Sequence, residues 1–337
     1  MNPTNPTNPT NSMNSTNSAN PKIAVLGAGN WGRNLVRVFC ELVGSGNIIV
    51  CDPDRSRREA MIAAHPGIAT AEGPSYDGVD AVVIAAPAVM HYELAKEALL
   101  AGMDVLVEKP IALSSSEAEE LIDIAERNRR ILMVDHLLEY HPAVVKLKEL
   151  ADEGRFGRLL HLTSQRLNLG VIRSEENVLW SLAPHDISVI LHLLEEEPDE
   201  VIARGEVYLQ DGIEDMAYVT LRFSSGTLGL IHTSWLDPVK TRRLTVVGDE
   251  GMAVFDDLAP DKLVIYDHAI EKVNGRYRTE RGEGRPVAIE GTEPLSAMAE
   301  AFLRSLRTRQ DPPSGGQDGL RVVRVLERAQ RSMEAGK

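Results

Sequence analysis

A lysine set between a glutamate and a proline, Glu108-Lys109-Pro110, closes the run Asp104-Val105-Leu106-Val107, which reads as a buried strand. At the carboxyl edge of a parallel sheet such a lysine points into the crevice where these sheets bind ligands. Its ammonium can hold, or help deprotonate, a hydroxyl group lying beside a dinucleotide. A second motif upstream suggests the dinucleotide. Gly27-Ala28-Gly29-Asn30-Trp31-Gly32 follows a short strand and opens a stretch with Leu35, Val38, Phe39 and Leu42 at helical spacing. Gly27 permits a tight turn, Gly29 lets backbone approach a pyrophosphate, and Gly32 allows the helix to pack close on the sheet. The free N–H groups of that helix start face the phosphates. Asp52, at the end of the next strand, can accept hydrogen bonds from the adenosine ribose and repels a 2′-phosphate, so NAD is expected rather than NADP. Arg55 is the one neighbour that could instead meet such a phosphate. Ala86, Pro87 and His91 follow the apolar run Val79 to Ala85. Their loop should cross the nicotinamide half of the cofactor; His91 either belongs to that crossing or caps the next helix from solvent.

Positioning these groups requires alternating strands and helices. Lys22 to Leu26, Asn47 to Cys51, Val79 to Ala85, Val105 to Val107 and Ile131 to Val134 read as strands. Helical stretches lie between them, one opened by the capping pair Ser114 and Glu117. That order predicts an α/β, doubly wound parallel sheet of Rossmann type over residues 21–140. Past His141-Pro142 the pattern changes. Extended segments follow at Leu159 to Leu167, Ala217 to Phe223, Thr227 to Trp235, Arg243 to Val247, Met252 to Phe255 and Lys262 to Tyr266. A loop over Asn168 to Trp180, a helix from about Pro184 to Leu194 and two closing helices complete residues 141–337. The second domain is therefore expected to be α+β, with a mainly antiparallel open sheet carrying helices on one face. Residues 1–20, an uncharged Asn-Pro-Thr and Asn/Ser tract, cannot offset chain entropy by burial and are expected to form a disordered tail.

Composition excludes several classes. The net charge of -14 over 337 residues argues against nucleic acid or an anionic membrane as partner, and an anionic ligand would need a local cluster of Arg or Lys. No run approaches the ~20 apolar residues of a membrane span, and no secretory leader opens the chain. Cys40 and Cys51 suit packed positions rather than a disulfide, and no metal site is expected. A cytoplasmic protein is the natural reading.

Taken together, the glycine loop, Ala86-Pro87 with His91, Gly102 through Glu108-Lys109-Pro110, and His185-Asp186 make the chain from Lys22 onward resemble the Gfo/Idh/MocA oxidoreductases. The resemblance implies an NAD(P)-binding Rossmann domain, a C-terminal domain that often mediates oligomerisation, and sugar, cyclitol or nucleotide-sugar substrates. It maps the family's lysine to Lys109 and its histidine to His185. Chemically, oxidation of an alcohol needs a base for the hydroxyl proton, and histidine titrates near neutrality. His185 then serves as base while Lys109 orients the hydroxyl, or the two exchange roles. The aspartate that many members carry four residues before the histidine is Ser181 here, which cannot supply a charge, so Asp186 either takes part or the pair acts alone.

The segments Arg166-Leu167-Asn168-Leu169-Gly170-Val171-Ile172-Arg173 and Val178 to Ile187 are similar to the nucleotide-sugar branch, which oxidises C3 of UDP-N-acetylglucosamine or of its uronic acid ahead of an aminotransferase. Arg166 and Arg173 would meet the diphosphate and Asn168 a sugar hydroxyl or the N-acetyl group. A polar surface loop is the plainer alternative for this segment. A free-sugar or cyclitol dehydrogenase and a non-catalytic NAD-binding regulator are the competing functions, and a homo-oligomer, dimer or tetramer, is expected in each case.

Overall fold

The computed structural model describes residues 20–336, so the tail expected over residues 1–20 lies, but for Asn20, outside the described residues. Six short parallel strands form the first sheet: β1 (Ile23–Leu26), β2 (Ile48–Cys51), β3 (Ala69–Ala71), β4 (Ala81–Ile84), β5 (Asp104–Val107) and β6 (Leu132–Val134). Their order, β3-β2-β1-β4-β5-β6, reverses direction between β1 and β4. Strands β1, β4 and β5 are buried along their whole length because helices cover both faces. These helices are α1 (Asn30–Val43), α2 (Arg55–Ala64), α3 (His91–Leu100) and α4 (Ser115–Asn128). Ser114 caps α4 by accepting from the Glu117 N–H, and Glu117 reaches back to the Leu113 N–H.

The second sheet has eight strands: β7 (Leu159–Leu169), β8 (Glu200–Glu206), β9 (Met216–Arg222), β10 (Leu228–Ser234), β11 (Leu236–Gly248), β12 (Gly251–Asp256), β13 (Leu263–Val273) and β14 (Arg276–Pro286). Only β7 and β10 run parallel; every other pairing is antiparallel. The helices α5 (Pro142–Asp152), α6 (Val178–Leu194) and α8 (Gly316–Ala335) cover its inner face. Strands β3, β8 and β14 were not foreseen: β3 is only three residues long, and the Glu, Arg and Gly of β8 and β14 leave no apolar period to read. Helix α6 also starts earlier than Pro184. Asn177 caps it by accepting from the Trp180 N–H, and Val178, Leu179 and Ala183 anchor the extra turns in the core, which outweighs the proline's interruption.

Chain order groups the closing helices with the second domain, but they pack across the boundary. The helix α7 (Pro294–Thr308) buries Leu295, Met298 and Phe302 against α1, with Phe302 edge-on to Phe39 at 6.3 Å. Arg309 then grips Asp104 at the head of β5 with bonds of 2.6 and 2.9 Å. Helix α8 places Leu320 and Val323 against α4, and Val322, Val325 and Leu326 toward the second sheet. At the same seam the His136 Nδ1–H donates to Asp318 at 2.6 Å and Glu139 at 3.2 Å. Burial disfavours charge there, but these two carboxylates outweigh it and hold His136 up to about 10. Among the described residues no helix is long and apolar enough to cross a membrane.

Candidate active site

Two adjoining cavities lie along the carboxyl edge of the first sheet, at the β1–β4 reversal where open α/β sheets bind ligands. The smaller, about 390 Å³, is lined by Gly27, Gly29, Asp52, Arg57 and Leu94; the larger, about 850 Å³, by Trp31, Glu108, Lys109, Ser181 and His185. They share Ala85, Ala86 and Pro87, so one groove runs from one to the other.

The glycine loop is built for close approach. A side chain at Gly32 would bring its Cβ to 2.0 Å from the Gly27 carbonyl oxygen, so helix and loop can meet only without one. At Gly29 a Cβ would touch nothing within 4 Å, which leaves open space where phosphates can reach the start of α1. Asp52 is buried and braces this loop. Its Oδ2 accepts from the Ala28 N–H at 2.7 Å and its Oδ1 from the Asp54 N–H at 2.8 Å. Arg55, the expected rival for a phosphate, instead pairs with Glu59 on the open face of α2. The cation beside Asp52 is Arg57, at 3.6 Å, a residue that sequence reading passed over. These groups fit the adenosine and pyrophosphate half of a dinucleotide.

His91 faces inward. Its ring is 1% exposed, with Nδ1 2.7 Å from the Pro110 carbonyl oxygen and Nε2 2.9 Å from that of Ala86. Burial lowers its pKa, so the neutral ring donates to one carbonyl at a time. It thereby ties the loop after β4 to the loop bearing Lys109, rather than capping α3 from solvent.

Lys109 and His185 line the same cavity, although they come from different sheets' domains. Lys109 Nζ donates to the Ser181 carbonyl at 2.8 Å, one helical turn before His185. Pro184 has no N–H, so the Trp180 carbonyl loses its usual helical partner and α6 is already interrupted beside the Ser181 contact. Burial pulls the Lys109 ammonium down, and the carboxylates of Glu108 and Glu176 oppose it. His185 is pushed well below its ordinary value, by burial first and then by the charges of Lys109, Arg166 and Arg242. It therefore stands neutral near pH 7.

Two expectations are corrected by geometry. Asp186 does not face His185: it accepts from Arg166 Nε at 2.7 Å and Nη2 at 3.2 Å, and from the Ser164 hydroxyl at 2.6 Å. Arg166 is consequently buried in that pair and not presented to a diphosphate. Asn168 lies outside the cavity lining, whereas Arg173 is on it, 3.7 Å from Glu176. The second cation on the wall is Arg242, which enters only because β11 lies in register with β7, setting Arg242 opposite Arg166. Nothing in the local sequence marks it. Asp135, also on the wall, follows β6 and could have been found from its place at a strand's carboxyl end.

Comparison with known proteins finds a match for both parts of the chain. Residues 21–136 match the family described as oxidoreductase family, NAD-binding Rossmann fold, and residues 144–254 match the GFO/IDH/MocA C-terminal domain. The chain is 28% identical over 319 residues to a UDP-N-acetylglucosamine 3-dehydrogenase of Acidithiobacillus ferrooxidans, covering 93% of this chain and 97% of that protein. A solved structure of that dehydrogenase superposes with a TM-score of 0.79. An inositol 2-dehydrogenase of Streptomyces avermitilis is 30% identical over 316 residues, covering 85% of this chain and 92% of its own.

Proposed function

The chain belongs to the Gfo/Idh/MocA oxidoreductase family, with an NAD-binding Rossmann domain, and from that premise we propose that it oxidises the C3 hydroxyl of a UDP-N-acetylhexosamine to the 3-keto sugar nucleotide. The observation that carries the substrate class is the pair of cations, Arg173 and Arg242, on the wall of the cavity that also holds Lys109 and His185. They are the guanidinium groups a diphosphate could engage there, each held only loosely by a carboxylate, Arg173 by Glu176 at 3.7 Å and Arg242 by Asp257 at 3.5 Å. The similarity to the UDP-N-acetylglucosamine 3-dehydrogenase over nearly both full lengths supports the same reading.

A bound nicotinamide would supply the acceptor for the hydride of the carbinol carbon. The chain's own residues manage the proton. Lys109 has three N–H donors; one is spent on the Ser181 carbonyl, and the others remain for the substrate oxygen. Its charge stabilises the developing alkoxide. His185, neutral at rest, takes the proton. Ser181 brings no carboxylate and Asp186 is held by Arg166, so the Lys109–His185 pair acts without an acidic partner from α6.

A second reading is a cyclitol dehydrogenase, favoured by the 30% identity to an inositol 2-dehydrogenase. Following NAD reduction by absorbance with UDP-N-acetylglucosamine, its uronic acid, myo-inositol and free hexoses decides between them. Turnover with the UDP sugars, and at least tenfold less kcat/KM with the others, is the expected result. Turnover confined to inositol or free sugars would eliminate the nucleotide-sugar assignment, and tight NAD binding with no turnover at all would favour a regulator. In the same proposal the keto product feeds a cytoplasmic aminotransferase. The chain self-associates through the outer face of the second sheet, where Ile202 and Tyr218 are half exposed and Tyr218 stacks on His232 at 4.0 Å. A sedimentation coefficient for a monomer at micromolar concentration would remove that last element.

A further inference from the structure

Two buried carboxylate oxygens on the wall of the larger cavity have no hydrogen-bond partner among the described residues: Glu108 Oε1 and Asp135 Oδ1. They are neighbours by construction. Strands β5 and β6 run parallel with Val107 opposite Val134, so the residue that follows each strand end emerges side by side with the other. The Asp135 N–H donates to the Val107 carbonyl at 2.8 Å and fixes that arrangement. The side chain of Asp135 is also held from the other wall. Trp31 Nε1–H, from the glycine loop, donates to its Oδ2 at 3.0 Å. One oxygen is thus locked by Trp31, the side chain also meets the Glu108 carboxyl, and the residue is only 2% exposed.

An acid pair this enclosed resists carrying two negative charges. The Glu108 carboxyl is pushed well above its ordinary range, by burial first and by the Asp135 carboxylate next, while Lys109 partly offsets both. What the pair lacks is a cation on the cavity side. Lys109 directs its ammonium to Ser181 instead. The groove from the Asp52 end reaches this place past Ala86 and Pro87, where the nicotinamide half of a dinucleotide would lie. An oxidised nicotinamide ring carries one positive charge and a reduced ring carries none. Lys109 and the two arginines on this wall disfavour the charged ring, and the fixed Asp135 carboxylate is the group that opposes them.

We infer that Asp135, paired with Glu108, tunes the site to the redox state of its cofactor, raising its affinity for NAD+ relative to NADH. The inference rests on the dinucleotide reading of the groove and extends it to a residue outside the glycine loop and the Glu-Lys-Pro motif. Attraction between unit charges about 6 Å apart in a partly solvated cleft corresponds to roughly ten- to a hundredfold in affinity. Its consequence for turnover is that Asp135 loses its hold on the cofactor when the ring is reduced.

The test measures dissociation constants of the purified full chain for NAD+ by calorimetry and for NADH by its fluorescence. Asp135→Asn keeps an oxygen for the Trp31 N–H and removes only the charge. It is expected to weaken NAD+ about tenfold while NADH changes by less than about threefold. Trp31→Phe, which removes the hydrogen bond and leaves the charge, should leave the NAD+/NADH ratio within about twofold of the wild type. Asp135→Ser serves as a second neutral variant if the Asn form melts well below the parent. An equal loss for both redox forms would make Asp135 a holder of shape alone and overturn the inference, as would unchanged NAD+ affinity. Failure of the unaltered chain to bind either form would overturn the cofactor reading beneath it, and the inference with it.

Discussion

Lys109→Met is expected to lower kcat by about 10³-fold while the dissociation constant for NAD stays within a few-fold of the parent. Methionine keeps most of the lysine's length and suits an enclosed site, so the loop from Glu108 to Pro110 keeps its packing. What disappears is the ammonium that the Ser181 carbonyl fixes at 2.8 Å. In the proposed reaction that charge faces the substrate oxygen as its proton leaves, where a preorganised cation is worth most. His185 is unprotonated in either form, because burial dominates its titration and removing the Lys109 charge relieves only part of the depression. The variant should therefore bind both ligands and stall at the chemical step. Single-turnover reduction of NAD with a UDP sugar is the measurement. A variant that reduces NAD at more than about a tenth of the parent rate would show that His185 carries the reaction and that Lys109 is a strut under α6.

The second large effect is on stability. Asp186→Ala is expected to cost about 3–5 kcal/mol, because it strands the Arg166 guanidinium in the interior. Arg166 is bound to Asp186 at 2.7 and 3.2 Å, and the same carboxylate takes the Ser164 hydroxyl at 2.6 Å. Replacing both partners, Arg166→Met with Asp186→Leu, should recover most of that loss, since two apolar groups of similar volume need no partner. Urea unfolding of the single and double variants gives the comparison. A single variant that loses less than about 1 kcal/mol would mean that Arg166 can swing into the cavity. Its reading as a diphosphate ligand would then return.

That pair shows where sequence reading reaches its limit. Arg166 and Arg173 look alike in the chain: two cations flanking an irregular segment in an acidic protein. One is sealed against α6 and the other lines the cavity. The difference lies in Asp186, whose side chain turns toward β7 rather than toward the neighbouring His185, and no local pattern reports which way a helical carboxylate turns. Arg242 is the converse case. It sits in a polar stretch with no motif, and the sheet register alone brings it opposite Arg166 and onto the wall.

Helix α6 illustrates the same contest between local and tertiary terms. Proline favours a helix start, and the expected start was Pro184. The core claimed Val178, Leu179 and Ala183, Asn177 supplied a cap, and the proline was absorbed inside the helix. At its other end the chain crosses back. The apolar faces of α7 and α8 could be read as helical, but their destination, beside Phe39 and along α4, was set by which exposed core surface remained to be covered.

From its residues alone this chain determined the alternating strands and helices of the first domain, the glycine loop, the acid at the end of β2 and the lysine at the end of β5. These are local matters, decided by hydrophobic period, by backbone freedom at glycine and by a strand's carboxyl end. The resemblance had already paired His185 with Lys109, but the tertiary structure alone decided which other distant groups share their cavity: Arg242 on the wall, Asp135 against Glu108, and Arg166 withdrawn into an ion pair. The physical reason is that charge and hydrogen-bond partners are chosen by distance in space, and sheet register and helix packing set those distances only after the whole chain has folded.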